Sequence, residues 1–173
     1  MLDLKKLEEK LDLALANETS ESLNQWLEQK RSNAFLMSLT PLTEDYLEFL
    51  LEVRNHESTR KFLENDSIFN LENCKLWFFK LESPWFIILV DNNPVGYIRT
   101  NGNEIGCDIH PNHRRKGYAK MAYKKLMENM NKATLWVFED NFAKNLYYQL
   151  GFKETGEEKN IRSRKYIKMI YEK

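Results

Sequence analysis

The chain has 173 residues, of which 42% are hydrophobic and 13% aromatic, so it is long enough for one well-packed domain and short for two. Lysine and arginine total 26, and so do aspartate and glutamate, which makes the formal net charge zero. Because no global field draws nucleic acid or an anionic membrane to such a protein, any anion site must be local.

The cysteines and the apolar runs indicate the compartment. Cys74 and Cys107 lie far apart with no CxxC or Cys/His spacing, so we expect reduced thiols and no metal site. The longest apolar run, residues 85–90, is strand-sized and far short of the ~20 residues that span a bilayer. Nothing at the N-terminus resembles a signal peptide. We therefore expect a cytoplasmic protein without membrane contact, either a monomer or a homodimer.

The first predicted element is a helical extension over residues 1–31. Leucines recur at helical spacing, a polar "NETS" segment interrupts them, and Leu23, Trp26 and Leu27 resume the pattern. This predicts two short amphipathic helices, for which two interpretations stay open. They form a hairpin packed on its own domain, or they form a surface that binds a partner or a second copy.

A main domain is predicted from residue 35 to residue 173. It begins with a strand over residues 35–39, followed by helices that Thr43 and Asn70 would cap. Farther on, apolar runs bounded by turn residues predict strands, and helical spacing of apolar residues predicts helices. The expected order is a hairpin within 85–100, a strand at 103–110, a helix at 117–130, a strand at 133–138, a helix at 141–150 and a strand at 166–171. Helices interleaved with adjacent strands make the fold α/β or α+β.

A basic segment, "HRRKGYA" at residues 113–119, lies where a strand passes into a helix. Cations are unfavourable at a helix N-terminus, which carries partial positive charge and unpaired N–H groups. Residues 109–127 contain no acidic residue that would neutralise them. One interpretation is a run of solvated cations. A bound phosphate explains the placement better, because Gly117 lets the backbone approach a ligand in front of a helix N-terminus.

Two motifs then indicate a family. The pattern R-x-x-G-x-A, formed by Arg114, Gly117 and Ala119, resembles the pyrophosphate-binding signature of the GNAT superfamily of N-acetyltransferases. The segment 140–152 resembles the second GNAT motif. Its matching residues are Ala143, Leu146, Tyr147, Leu150, Gly151 and Phe152. The resemblance covers about residues 35–172.

The resemblance implies a mixed, mostly antiparallel central sheet flanked by helices, whose fourth and fifth strands splay apart into a V-shaped cleft for acetyl-CoA. It implies that the backbone of Cys107 and Ile109 contacts the pantetheine arm. The pyrophosphate would be held by backbone N–H groups of Arg114, Arg115, Lys116, Gly117, Tyr118 and Ala119. The side chain of Tyr118 could instead begin the apolar face of the helix.

The second motif carries the candidate general acid. In the family, a tyrosine of this motif often protonates the CoA sulfur, and Tyr147 matches that position. The alternative is that Tyr147 or Tyr148 packs in the core, since adjacent helical residues point about 100° apart. One position departs from the family pattern, because Asp140 stands where the family often has asparagine. Asn141, one residue later, is therefore a displaced candidate for a contact with acetyl-CoA.

A general base is harder to assign. Family members often place a glutamate or histidine on the fourth strand, on the face that Cys107 and Ile109 share here, and neither is a base. The candidates Glu104, Asp108 and His110 alternate onto the opposite face, so they qualify only if a bulge shifts the register. A water chain is the alternative. Cys107 is not expected to act as a nucleophile, because no base partner is evident.

The activity that the resemblance implies is direct acetyl transfer from acetyl-CoA to a primary amine. The acceptor would be a small molecule, such as an amino sugar, or a protein N-terminus, and Glu52, Arg54 and His56 would line its pocket. The alternative is a non-catalytic acyl-CoA-binding or regulatory module of this fold, with residues 1–31 as the partner surface. Nucleic-acid binding is disfavoured by the zero net charge and by compact cations without interleaved aromatic residues.

Overall fold

The structure, a computed structural model, describes residues 36–173. In this part of the chain, one sheet contains β1 (Met37–Pro41), β2 (Trp85–Val90), β3 (Asn93–Asn101), β4 (Glu104–Ile109), β5 (Lys132–Phe138), β6 (Lys153–Ile161) and β7 (Arg164–Glu172). The described helices are α1 (Leu47–Asn55), α2 (Glu57–Arg60), α3 (Leu71–Phe79), α4 (Tyr118–Met127) and α5 (Ala143–Gln149). The expected mixed α/β fold is confirmed.

The sheet is nearly divided between β4 and β5. Its strand order is β1-β2-β3-β4-β5-β7-β6, and neighbours run antiparallel except for β4 and β5, which are parallel. Among the described residues, β4 and β5 pair only at Glu104 and Thr134. There the Thr134 N–H donates to the Asn103 carbonyl at 2.8 Å. The strands then diverge, which confirms the V-shaped split expected between the fourth and fifth strands.

Each face of the sheet carries its own apolar core. On one face, α4 and α5 bury residues that include Ala122, Tyr123 and Leu135. On the other face, α1 and α3 bury residues that include Leu50 and Cys74. Because helices cover both faces of the central strands, these strands are continuously apolar, as in the run over β2.

Several predicted elements lie close to their expected positions. The hairpin of β2 and β3 and the helix α4 begin within a residue of the expected bounds. The Asn70 cap is confirmed, since the Asn70 Oδ1 accepts a hydrogen bond from the Asn73 N–H at 2.8 Å. The first strand is displaced by two residues, from 35–39 to Met37–Pro41, and Phe35 lies outside the described residues.

Other expectations were wrong or incomplete. Thr43 makes no side-chain cap bond. A 3-10 turn, Glu44–Tyr46, follows it, so α1 begins only at Leu47. The sequence analysis missed β6, whose residues are almost all exposed and polar because it is an edge strand; no apolar alternation marks such a strand. The helical extension expected over residues 1–31 lies outside the described part of the chain.

No helix within residues 36–173 is long and apolar enough to cross a membrane. The longest helix there, α4, has ten residues. Its sequence also contains lysines between the apolar residues.

The Asn70 cap gives a test of the fold. Replacing Asn70 by alanine leaves the first turn of α3 without its side-chain acceptor, so we expect Asn70→Ala to lower the free energy of unfolding by about 1 kcal/mol. Urea denaturation measures this value. Asn73→Ala is the matched control, because its exposed side chain lies inside the same helix, where alanine has the higher helix propensity. Equal losses in both variants would contradict the assigned cap.

Candidate active site

The wall of the split on the β4 side carries an apolar face. Ile105 and Ile109 are buried in the core beneath α4 and α5, and Cys107 packs beside them, so these three residues share one face of β4, as strand alternation predicts. Burial raises the pKa of the Cys107 thiol, which keeps the thiol protonated at neutral pH. Cys107 is therefore not an activated nucleophile.

The loop between β4 and α4 has the backbone geometry of an anion site. Arg115 and Gly117 have positive φ angles of 64° and 85°, and N–H groups in such left-handed turns tend to converge on an anion. The N–H groups of Arg115, Lys116 and Gly117 make no backbone hydrogen bond with the described residues. Gly117 precedes α4 without a side-chain cap bond. The loop thus offers backbone donors beside a helix N-terminus, the geometry that binds phosphate.

The side chains of this loop point in different directions. Arg115 and Lys116 are exposed, and the side chain of neither has a hydrogen-bond or salt-bridge partner among residues 36–173. The Tyr118 side chain is instead buried in the core beneath α4, as the alternative interpretation of that residue expected. Ala119 packs partly against the same core. Burial, followed by the charge of Lys116, lowers the pKa of His113.

The Arg114 guanidinium is turned away from the loop's backbone donors. Its Nε donates to the Ile109 carbonyl at 2.9 Å, its Nη1 to the Ser58 Oγ at 2.7 Å and its Nη2 to the Thr59 Oγ1 at 2.6 Å. Burial lowers its pKa, although an arginine stays charged at neutral pH. Every nitrogen of the guanidinium is engaged, so this side chain joins the loop to α2.

Tyr147 lies in the core at the base of α5. It is 8% exposed, and its ring meets the Tyr123 ring edge-on at 5.6 Å between centroids. The Tyr123 hydroxyl donates to the Tyr147 Oη at 3.4 Å. Burial raises the pKa of Tyr147 to about 12, despite the opposing effect of that hydrogen bond. The neighbouring Tyr148 points outward and bonds to Glu154, so the two tyrosines diverge as helix geometry requires.

The opposite face of β4 carries a charged pair. The Arg99 Nη1 donates to the Asp108 Oδ2 at 3.3 Å, and Gly106 makes room for it, since a Cβ there would lie 2.7 Å from the Arg99 Cζ. The pairing of β3 with β4 has no register shift. Glu104 and Asp108 therefore stay on the face opposite Cys107, and the bulge that would have turned them towards it is absent from β4.

His110 and Glu52, which the sequence analysis assigned to different roles, are partners. The His110 Nδ1 accepts the Asn112 N–H at 3.3 Å, which leaves the proton on Nε2, and Nε2 donates to the Glu52 Oε1 at 3.1 Å. The His110 ring stacks on Phe49 at 6.1 Å. The pair therefore fastens the end of β4 to α1. Among residues 36–173, no group of three or more His, Cys, Asp or Glu residues could hold a metal ion.

Arg54 and His56 hold the segment that follows α1. The Arg54 guanidinium donates to the carbonyls of Ser67 at 2.6 Å and Asn65 at 2.9 Å and lies 3.8 Å from the centre of the Phe69 ring. The His56 Nδ1 accepts the Ser58 N–H at 3.2 Å, which caps α2. These contacts engage both terminal nitrogens of Arg54, whereas His56 is exposed.

Asn141 and Asp140 lie just beyond the end of β5. The Asn141 Oδ1 accepts the Ala143 N–H at 2.9 Å and so shapes the entry into α5. Asp140 accepts a hydrogen bond from the Arg164 Nη2 at 2.7 Å, and this bond lowers the pKa of the carboxyl. Asp140, which stands where the family often has asparagine, and Asn141, one residue later, thus have separate contacts in the structure.

The sequence analysis missed three residues that shape this region: Ser58, Thr59 and Arg164. Ser58 and Thr59 bind Arg114 from positions 56 and 55 residues away in the sequence. No local pattern marks residues that meet over such a separation. Arg164 was missed as well, because the sequence analysis did not predict the β6–β7 hairpin that places it beside the end of β5.

The split between β4 and β5, with a turn of left-handed residues at its open end, is the arrangement that the resemblance to acetyltransferases implied. A family model described as the acetyltransferase (GNAT) family matches residues 39–152, about two thirds of the chain. The chain therefore belongs to the GNAT family and is a GNAT-type acyltransferase.

Solved structures support the same fold. One similar structure is a ribosomal-protein-alanine N-acetyltransferase from Brucella melitensis, with 19% identity, a TM-score of 0.67 and coverage of 79% of this chain and 99% of that chain. Another is a spermidine N-acetyltransferase from Vibrio cholerae in complex with CoA and spermine, with 20% identity, a TM-score of 0.71 and coverage of 79% and 95%. A Salmonella typhimurium protein with its cofactor acetyl-CoA has 18% identity, a TM-score of 0.63 and coverage of 79% and 93%. A search of curated proteins found no match.

The raised pKa of Tyr147 predicts a loss of stability in alkali. An unfolded tyrosine ionises near pH 10, whereas the buried phenol keeps its proton until about pH 12. Between pH 10 and pH 12 the folded protein keeps this proton and the unfolded chain has lost it. The free energy of unfolding therefore has its full value below pH 10 and decreases as the pH rises towards 12. Between pH 9 and 11, we expect the wild type to lose about 1 kcal/mol more than Tyr147→Phe. Urea denaturation of both proteins at each pH measures the difference, and parallel losses would show that Tyr147 titrates normally.

Proposed function

We propose that the protein is an acetyl-CoA-dependent N-acetyltransferase that transfers an acetyl group directly to a primary amine. The acceptor is a small molecule, such as an amino sugar or a polyamine, or a protein N-terminus. The observation that carries the proposal is the turn after β4, where Arg115 and Gly117 are left-handed and the N–H groups of residues 115–117 have no backbone partner among the described residues. A thioester cofactor with a diphosphate needs a strong anion site of this kind.

The substrate acetyl-CoA would lie along the split. The backbone of Cys107 and Ile109 faces the gap that β5 leaves, so it can bind the amides of the pantetheine arm. The N–H groups of Arg115, Lys116 and Gly117 would bind the pyrophosphate. Arg114 would not bind the pyrophosphate itself, because its guanidinium is engaged with α2 and its N–H donates to the Pro111 carbonyl at 3.3 Å. Asn141 stays a candidate contact at the entry to α5.

Tyr147 is the proposed general acid. As the new C–N bond forms and the C–S bond breaks, the departing thiolate takes a proton from the Tyr147 Oη, and solvent later returns that proton. A pKa of about 12 keeps the phenol protonated at neutral pH. Its neighbour Tyr123 donates to the Tyr147 Oη, so the proton of Tyr147 itself is left to donate elsewhere.

The attacking amine loses its proton to water in this proposal. Asp108 is paired with Arg99 and His110 with Glu52, so both candidates for a base already have partners. Glu104 is exposed at the narrow end of the split. A water chain therefore fits the structure better than any of these three side chains.

One observation favours the second candidate function, a non-catalytic acyl-CoA-binding module. Tyr147 is buried among aromatic side chains, as a packing residue would be. Residues 1–31 would be the partner surface of such a module. For either function we propose a cytoplasmic location, which the two free cysteines, Cys74 and Cys107, support.

Acetyl-CoA should raise the melting temperature of the protein, since a ligand that binds only the folded state stabilises it. Dephospho or desulfo fragments should raise it less, and no shift at millimolar acetyl-CoA would refute the proposal. Gly117→Ala should remove most of the shift, because φ there is +85°. Gly102→Ala is the matched control. Its φ is +58° and no atom would contact its Cβ, as at Gly117, but it lies in the turn before β4, so its shift should match the wild type.

Tyr147→Phe should lower turnover about 100-fold if Tyr147 is the general acid and leave acetyl-CoA affinity nearly unchanged. The assay follows free thiol released from acetyl-CoA with a panel of spermidine, glucosamine and a peptide that begins with alanine. Tyr148→Phe is the control, because the Tyr148 hydroxyl bonds to Glu154 at the surface. Full activity of Tyr147→Phe would assign the acid to another group. If the protein binds acetyl-CoA but turns over none of the tested amines, the result would favour the binding module.

A further inference from the structure

The open end of the split is spanned by a short segment, residues 58–64, here called the bridge. Parallel strands β4 and β5 end at Ile109 and Phe138, and no pairing between them is present beyond Glu104 and Thr134 in the described residues. The bridge contacts groups at both of these strand ends. It therefore connects two strand ends that the sheet itself leaves apart.

Arg114 tethers the bridge at the end of β4. Its Nε binds the carbonyl of Ile109, the last residue of that strand. Its two terminal nitrogens bind the hydroxyls of Ser58 and Thr59, the first residues of the bridge. Thr59 is 3% exposed, so this tether is buried on the bridge side.

Arg164 tethers the bridge at the end of β5. Its Nη1 donates to the Lys61 carbonyl at 2.6 Å, and its Nη2 donates to Asp140, two residues beyond that strand. Its guanidinium lies 4.1 Å from the centre of the ring of Phe138, the last residue of β5. The adjacent Arg162 adds bonds to the carbonyls of Leu63 at 2.7 Å and Glu64 at 3.0 Å.

Arginine side chains also bind the chain just beyond the bridge. Arg54 binds the carbonyls of Asn65 and Ser67, and Arg60 binds that of Asp66 at 2.9 Å. Five consecutive carbonyls, from residue 63 to residue 67, thus accept hydrogen bonds from guanidinium groups. Side-chain donors replace those that a helix or strand would supply, so the path of this segment depends on the arginines.

We propose that Arg114 and Arg164 are positioning residues at the two ends of one bridge, and that the bridge holds the loop 110–117 in its anion-binding conformation. The loop contains two left-handed residues, Arg115 and Gly117, and such a conformation persists only where surrounding contacts hold it. The hydrogen bonds of the Arg164 side chain within the described residues go to Lys61 and Asp140 and not to the loop. It acts through the bridge, whose other end is fixed to Arg114.

This arrangement predicts that the two arginines are coupled. Substitutions at sites without shared partners have additive effects, whereas substitutions that release one common element do not. Release at either end loosens the same segment, while the bonds from Arg54, Arg60 and Arg162 to residues 63–67 stay in place. The double variant Arg114→Gln/Arg164→Gln should therefore behave like the more severe single variant.

Hydrogen–deuterium exchange of the ligand-free, full-length protein tests the bridge directly. We expect Arg164→Gln to speed exchange of the loop amides about fivefold or more, Arg164→Lys to restore much of the protection, and the double variant to add little to Arg114→Gln. Lys168→Gln is the control, since Lys168 also lies on β7 but its Nζ donates to Glu157 and not to the bridge or the loop among the described residues. It should leave the loop unchanged and combine additively with Arg114→Gln.

Calorimetry should show that Arg114→Gln and Arg164→Gln each weaken acetyl-CoA binding about fivefold. The double variant should bind about as weakly as either single variant, because the two effects do not multiply. This readout rests on the proposed function, whereas the exchange readout does not. Normal loop exchange in Arg164→Gln, or multiplied effects in the double variant, would overturn the bridge. Absence of acetyl-CoA binding by the wild type would overturn the proposed function, and the exchange result would still decide the bridge.

Discussion

The structure depends on one constraint, the pairing of β4 with β5 at their narrow end only. Among residues 36–173, the one pair of Glu104 with Thr134 keeps the seven strands in one sheet. On either side of the split, β3 pairs with β4 over six positions in all and β7 pairs with β5 over seven. The sheet therefore keeps its stability on both sides while the facing edges of β4 and β5 stay apart. A backbone edge left unpaired inside a sheet is costly unless something binds it, so this gap is better explained as a binding cleft than as a packing defect.

The polar and charged side chains around this cleft are largely paired with one another. Arg99 binds Asp108, His110 binds Glu52, and Arg164 binds Asp140. Each pair joins two different elements, so these contacts stabilise the shape of the cleft and leave few of the described side chains free for proton transfer. Chemistry in such a site depends on positioning more than on a strong base. The buried phenol of Tyr147 fits this division, since burial raises its pKa to about 12 and keeps it protonated at neutral pH.

Local patterns determined what could be predicted from the sequence. The Asn70 cap, the β2–β3 hairpin and the turn at Gly117 each follow from residues within a few positions, and the structure contains all three. The edge strand β6 was missed because exposed edge strands carry no apolar alternation. The His110–Glu52 pair joins residues 58 positions apart, and the partners of Arg114 are similarly distant. Both pairings depend on the fold, so the sequence could supply candidate residues but not their partners.

The cations that precede α4 illustrate the difference between a motif and its chemistry. Three consecutive cations at a helix N-terminus are electrostatically unfavourable, but the structure separates them. Arg114 carries its charge into the contact with α2, whereas Arg115 and Lys116 remain exposed beside uncapped N–H groups. The repulsion that remains in the ligand-free protein comes from these two residues and the helix dipole. An anion bound at the loop would remove it, so the same charges that disfavour the empty loop favour the occupied one.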